Sequence, residues 1–182
     1  MKQVNNSIYK TTIEIGAGKA KQFLWYFINI FFFKNTLNIF SGLKVSLLRS
    51  FGARVGKGVV IKPGVNIKYP WKLHLDNYSW IGENVWIDNL SEVIIGNNVT
   101  VSQGAFLLTG SHDQTKESFD FISSPIILED GVWIGAKAIV FGGVTCASHS
   151  ILGMNSVAEN NLKPYIIYKG NPAIAVIARN IT

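Results

Sequence analysis

The chain has 182 residues, 48% of them hydrophobic and 15% charged, with a net charge of +6; such a chain is long and apolar enough for one globular domain with a small appendage, and wholesale disorder is excluded. The charge is unevenly placed: residues 1–72 hold twelve Lys and Arg against Glu14 alone, net +11, whereas residues 73–182 hold five against ten acids, net −5. A single cysteine, Cys146, excludes an intrachain disulfide framework and a zinc site built mainly from cysteine, and fits a reducing cytoplasm.

Taken in chain order, residues 1–19 read as a flexible or extended N-terminus. The run from Phe23 to Phe33 is apolar except at Asn29. It is far shorter than the about 20 residues of a spanning helix. It also begins too late, and ends in the wrong residues, for a signal peptide. A buried helix, a subunit interface and an in-plane contact with an anionic membrane all fit it. Lys19, Lys21 and Lys34 beside it suit the membrane contact, because cations sit well against anionic headgroups. From Ser41 to Phe51, the residues Leu43, Leu47, Leu48 and Phe51 make one helical face, with Ser41 placed to cap its start and Gly52 its end. Residues 20–53 are therefore expected to form one or two helices.

After Arg54 the chain falls into hexads led by aliphatic residues. Val55, Ile61, Ile67 and Leu73 lead the first set; the frame slips by two and resumes at Leu75, Ile81 and Ile87, then slips again to Ile95, Val101 and Leu107. Beyond a break it continues at Leu128, Ile134, Val140, Cys146, Leu152 and Ala158. A leader every six residues would wander around a helix of period 3.6, and a meander of strands would alternate with period two. Period six, with glycine often next to the leader and a small or β-branched residue four places after it, fits a triangular coil of three short strands. Residues 54–160 are assigned to this mainly β, parallel β-helical unit, of between four and five coils, and residues 161–182 to a C-terminal segment.

The break carries the chemistry. Leu107 and Leu128 stand 21 positions apart instead of six, and long irregular segments in compact repeat domains are usually functional. The excursion, residues 108–127, contains His112, whose type of side chain titrates near physiological pH and can take a proton from a hydroxyl. His74, at a frame slip, and His149, on a coil side, read as surface or corner residues. The three histidines are 38 and 37 residues apart, unlike the closely spaced ligands of a zinc-dependent β-helical carbonic anhydrase. Counting hexads places Asn89 beneath Thr109, so that Asp88 and Asn89 adjoin the excursion. Nucleic-acid binding is disfavoured, because the aromatics are gathered in one helical run.

These hexads resemble the left-handed parallel β-helix of hexapeptide-repeat acyltransferases, and T-G-S-H-D, S-F-D-F and S-S-P-I in residues 109–126 resemble the catalytic loop of that family. The resemblance implies a homotrimer with active sites between subunits, acetyl-CoA as co-substrate and no metal. It implies His112 as general base, with its second ring nitrogen held by Asp113, Asp120 or a backbone carbonyl. Asn89, Asp88 and Asp113 become acceptor-side candidates. The segment from Gly131 to Thr145 resembles the stretch along the pantetheine arm, matching at Trp133, Gly135 and Ala136; Gly153-Met154 matches a second stretch and Gly170-Asn171-Pro172-Ala173 a C-terminal signature. Lys163, Lys169 and Arg179 supply cations for phosphates. The chain departs from the family pattern at Gly142-Gly143, where Pro-Gly is usual, and at Glu159-Asn160-Asn161, where Thr-Lys-Asp is usual.

Together with the lead-in L-L-R-S-F-G-A-R-V-G-K-G-V-V-I, the resemblance spans about residues 20–180 and looks like the colanic-acid-biosynthesis type of sugar O-acetyltransferase. What this implies is acetyl transfer to a sugar hydroxyl of a bacterial exopolysaccharide or O-antigen precursor, in the cytoplasm or on the cytoplasmic face of the inner membrane. Acetylation of a small molecule or xenobiotic is the enzymatic alternative, and a non-catalytic β-helical binding module the other.

Overall fold

Three parallel sheets wind around one apolar axis in the computed structural model, which describes residues 3–11 and 13–182. The first side of the prism stacks Arg54–Val55, Leu73–Leu75, Val93–Ile95, Ile126–Leu128 and Thr145–Cys146. The second stacks Val60–Ile61, Trp80–Ile81, Thr100–Val101, Trp133–Ile134, Ile151–Leu152 and Ile166–Lys169. The third stacks Asn66–Ile67, Trp86–Asp88, Phe106–Leu108, Ile139–Phe141 and Val157–Ala158. The second side thus has six parallel rungs, beyond the four to five coils expected, because Ile166–Lys169, outside the hexads, adds one more.

The repeat works as its period requires. The leaders from Ile61 to Leu152 are fully buried, and Val65, Ser79, Val85, Val99, Ala105, Val132, Ala138 and Ser150 fill the inside of the corners. Ser79 is tolerated there because its hydroxyl donates to the Gly96 carbonyl at 2.6 Å. Both frame slips fall at one edge of the prism, between the third side and the first: they are the extra residues in the links from Ile67 to Leu73 and from Ile87 to Val93. The excursion leaves the prism at this same edge, one coil further along.

Helix α1 (Lys19–Ile28), prolonged by a π turn (Asn29–Phe33), and helix α2 (Ser41–Ser50) close the starting end. The first coil would otherwise present a row of unpaired backbone groups, and side chains from the helices meet them. Trp25 Nε1 donates to Ile67 O at 2.9 Å. Asn29, the polar break in the aromatic run, accepts from Ile67 N at 3.3 Å and donates to Asn66 Oδ1 at 2.7 Å. Lys44, fully buried, donates to Lys62 O at 2.9 Å and Ile61 O at 3.5 Å. Ser41 does not cap its own helix: no side-chain cap bond forms, and its hydroxyl instead accepts from Ile61 N at 2.8 Å. Gly52 does end α2, in the left-handed region at φ +94°. At the far end Ile174–Ala178 folds back antiparallel on Ile166–Lys169.

Candidate active site

The two walls of the excursion, Gly110–His112 and Phe121–Ser123, pair antiparallel, with His112 opposite Phe121. Their roots close tightly over the next coil. A Cβ on Gly142 would lie 2.5 Å from Thr109 O and 2.9 Å from Ser124 O, so the glycine that departs from the family pattern lets both ends of the loop pass over it.

His112 Nδ1 lies 2.9 Å from Phe119 O. A carbonyl oxygen only accepts, so Nδ1 carries the proton, and in the neutral ring Nε2 is the nitrogen with the lone pair. Phe119 adopts φ +47°, a backbone that costs a non-glycine residue about 1–3 kcal/mol and persists at sites where the surroundings dictate it; here it turns the carbonyl onto the imidazole. The Phe119 ring stacks on His112 at 4.4 Å and 5°, and Phe121 meets it edge-on at 5.0 Å. The hollow beside the imidazole is lined by Leu108, Gly110, Ser111, Gln114 and Phe141.

The carboxylates weighed as partners of His112 turn elsewhere. Asp113 accepts from the Thr115 hydroxyl at 2.6 Å and its backbone N–H at 3.1 Å, and these bonds, with Lys116, hold its carboxyl below the usual range. Asp120, held low by the Ser118 hydroxyl, the Lys10 backbone N–H and Lys116, shares with Asp113 the Lys116 ammonium, which lies 3.4 and 3.5 Å from the two carboxylates.

Sequence reading missed the N-terminal arm. Asn5 N donates to Glu117 O at 2.8 Å, Phe121 N to Lys10 O at 3.3 Å, and Lys10 N to Asp120 Oδ1 at 3.2 Å, which brings the Tyr9 ring to 6.2 Å from His112. No repeat or motif marks these residues, and only the fold brings them to the loop.

On the coil below, the register is the one counted from the hexads. Asp88 pairs with Leu108, and the Thr109 hydroxyl donates to Asp88 O at 2.8 Å. Asn89, however, is fully buried and closed onto Tyr69, accepting from its N–H at 2.9 Å and donating to its carbonyl at 2.5 Å. Its carboxamide shapes the corner and is not among the residues that line the hollow. Asp88 pairs with Lys68 at 2.9 Å and lines a cleft of about 370 Å³ between α1 and the third side, together with Trp86, Asn66, Tyr26 and Lys34. Through Asp88 and Leu108, neighbours in the ladder, this cleft adjoins the His112 hollow.

The residues matched to the donor stretch gather at another edge, between the second side and the third. Gly135 and Gly153 follow rungs of the second side, Lys169 ends the next one, and the three stack on successive levels, with Gly135 N bonded to Leu152 O and Gly153 N to Tyr168 O, both at 2.8 Å. A Cβ on Gly135 would lie 2.6 Å from Met154 N, so close coil stacking by itself requires this glycine. Trp133 and Met154 stand exposed beside the column, and Ala136 accepts from Asn155 N. Arg179 does not join them. Its guanidinium donates to Gly131 O at 2.8 Å and His149 O at 3.0 Å, on the edge between the first and second sides.

A three-sided parallel coil is the fold of solved hexapeptide-repeat acetyltransferases. The hexapeptide-repeat acetyltransferase VCA0836 of Vibrio cholerae matches with a TM-score of 0.81 at 20% identity, over 91% of this chain and 96% of that one, and has also been solved in complex with acetyl-CoA. A scan against protein-family models finds no match. The colanic acid biosynthesis acetyltransferase WcaF of Escherichia coli (strain K12) is 35% identical over 164 residues, 90% of each chain, and the protein described here belongs to that family of acetyltransferases. Galactoside O-acetyltransferase of the same organism is 28% identical over 130 residues, 70% of this chain and 64% of the relative.

Proposed function

We propose that this acetyltransferase moves the acetyl group of acetyl-CoA onto a sugar hydroxyl of a bacterial surface-glycan precursor, in the cytoplasm, with His112 as general base. The observation that carries the reading is the bond from His112 Nδ1 to Phe119 O. It leaves Nε2 to take the proton of an acceptor hydroxyl while the hydroxyl oxygen attacks the thioester carbonyl carbon; the C–S bond breaks, and the leaving thiolate carries the proton away as CoA-SH.

The acceptor belongs in the cleft that adjoins this hollow. An aromatic platform (Trp86), a carboxylate (Asp88) and a carboxamide (Asn66) are the groups that a sugar ring with its hydroxyls needs. Galactosides, the acceptors of one relative, are of this chemistry, and WcaF serves colanic acid biosynthesis. The donor column and His112 stand on different edges of one prism, so a complete site requires two copies, as in a homotrimer. Trp133, Ala136, Met154 and Lys169 of one subunit then line the donor beside the excursion of the next.

The test is a panel of monosaccharides, oligosaccharides and nucleotide sugars incubated with acetyl-CoA, with release of CoA thiol as readout. Sugar-dependent release is expected, and His112→Ala should lower it by a factor on the order of 100 or more at an unchanged melting temperature. Release unaffected by His112→Ala removes the base assignment, and release only with non-carbohydrate acceptors removes the acceptor class.

A further inference from the structure

A broad bare apolar surface lies on the helical cap, with Tyr26 at its border toward the cleft beside the third side. In α1 and its π turn, Trp25 and Phe33 face the prism and are buried. Residues two places away on a helix point about 200° around; accordingly Phe23, Phe27 and Phe31 face outward, 67%, 40% and 62% exposed. Together with Tyr26 they make one surface. Phe23 and Phe27 are 4.9 Å apart, Tyr26 and Phe27 5.5 Å, and Phe27 and Phe31 6.5 Å. The link to α2 adds Leu37, Ile39 and Phe40, and α2 itself Leu43, all exposed; the link is tied to the π turn by Asn38 Nδ2 donating to Phe32 O at 2.8 Å. At 150–250 Å² per aromatic side chain, the four rings in contact alone leave on the order of 500 Å² bare, at the upper end of what a typical monomer exposes in one patch.

We infer that this surface docks onto an anionic phospholipid membrane, with α1 and α2 lying in the plane of the interface. Charge decides between occupants. Lys19 and Lys34 stand exposed at the two ends of the aromatic run. The only acid among residues 1–72, Glu14, interacts with Lys72 at the excursion edge. A second copy set symmetrically against the patch would bring like-charged rims together with no carboxylate of this region to answer them. Anionic headgroups complement the same rims, and aromatic side chains favour the boundary between headgroup and acyl chain. Each helix has ten residues, and no helix among the described residues is long and apolar enough to cross a membrane, so the contact is in-plane.

The test is co-sedimentation of the full chain with vesicles of phosphatidylcholine alone and of phosphatidylcholine mixed with phosphatidylglycerol. Binding is expected to the anionic vesicles, weakening as salt is raised. The triple change Phe23→Ser, Phe27→Ser, Phe31→Ser should lower binding at least about tenfold, with melting temperature and oligomeric mass unchanged. Lys19→Glu should weaken it too, as a variant that leaves the apolar surface intact. Failure to bind anionic vesicles, or binding indifferent to salt and to both variants, overturns the proposal. So does a change of oligomeric mass in the triple variant, which would make the patch a contact between subunits. None of these readouts depends on acetyl transfer, so the outcome is separate from that of the acceptor screen.

Discussion

The imidazole of His112 is fixed by a backbone carbonyl and two phenyl rings, which set its tautomer and its plane without a carboxylate. That leaves Asp113 and Asp120 to hold the loop together around Lys116. The sequence marked His112 because it breaks the period, and it limited the orienting group to three choices. It could not choose among them, since which carbonyl faces the ring depends on Phe119 adopting a positive φ, which no residue pattern announces. Cys146 is the opposite case, a hexad leader whose place in the core followed from period six alone. Burial pushes its thiol up to about 12, so at neutral pH it is neither ionised nor reachable. We predict that a disulfide reagent added to the native protein leaves Cys146 unlabelled and labels it once the chain is unfolded in denaturant. Rapid labelling of the native state would show that the coil opens there. The same property means that a thiol reagent in the transfer assay reads only released CoA.

At the scale of elements, the excursion is an ordered hairpin held by the Asp113–Lys116–Asp120 tie and by the N-terminal arm. Its place was legible because the hexads stop after the one led by Leu107 and resume at Leu128. The arm was not, since its residues carry no period, and the backbone bonds, the Lys10 N–H on Asp120 and the Tyr9 ring near His112 that join it to the loop arise only in the fold. The tie has a defined pH window. Both carboxyls sit below their ordinary value and the Lys116 ammonium sits above its own. For groups with a depressed native pKa, the stabilisation is complete above the unfolded value, about 3.9 for Asp, and is lost as pH falls through the lower native values. Amide hydrogen exchange across residues 113–121, corrected for intrinsic rates, should therefore be flat from about pH 8 to pH 5 and accelerate only below about pH 4. Lys116→Ala should raise exchange across the whole range. Acceleration already near neutral pH would mean that some other titrating group holds the loop.

The whole molecule is a stack in which each coil touches only its neighbours, so its ends decide whether it holds together. The hexads made the core and the parallel winding legible, and the two-residue slips were visible as well. That the slips and the excursion share one edge, and that the donor column lies on another, emerged only from the folded register. The capping also lay beyond the sequence, because Trp25, Asn29 and Lys44 look like ordinary members of amphipathic helices until the carbonyls of the first coil are placed against them. Lys44 gives the sharpest test. Its ammonium is fully buried against the carbonyls of Ile61 and Lys62, and burial lowers its pKa. Replacing a buried charge by an apolar group of similar shape is often neutral, but here the replacement leaves edge carbonyls without a donor, and that cost should prevail. Lys44→Met is predicted to lower the unfolding free energy by about 1–3 kcal/mol at neutral pH, measured by urea denaturation. The sign of the pH effect follows from linkage. The native ammonium releases its proton before that of the unfolded chain, so above neutral pH the unfolded state binds more protons and stability rises with pH. The gap between wild type and Lys44→Met should therefore widen as pH is raised toward the ordinary lysine value. A variant as stable as wild type at neutral pH, with no widening, would show that the first coil is closed without this lysine.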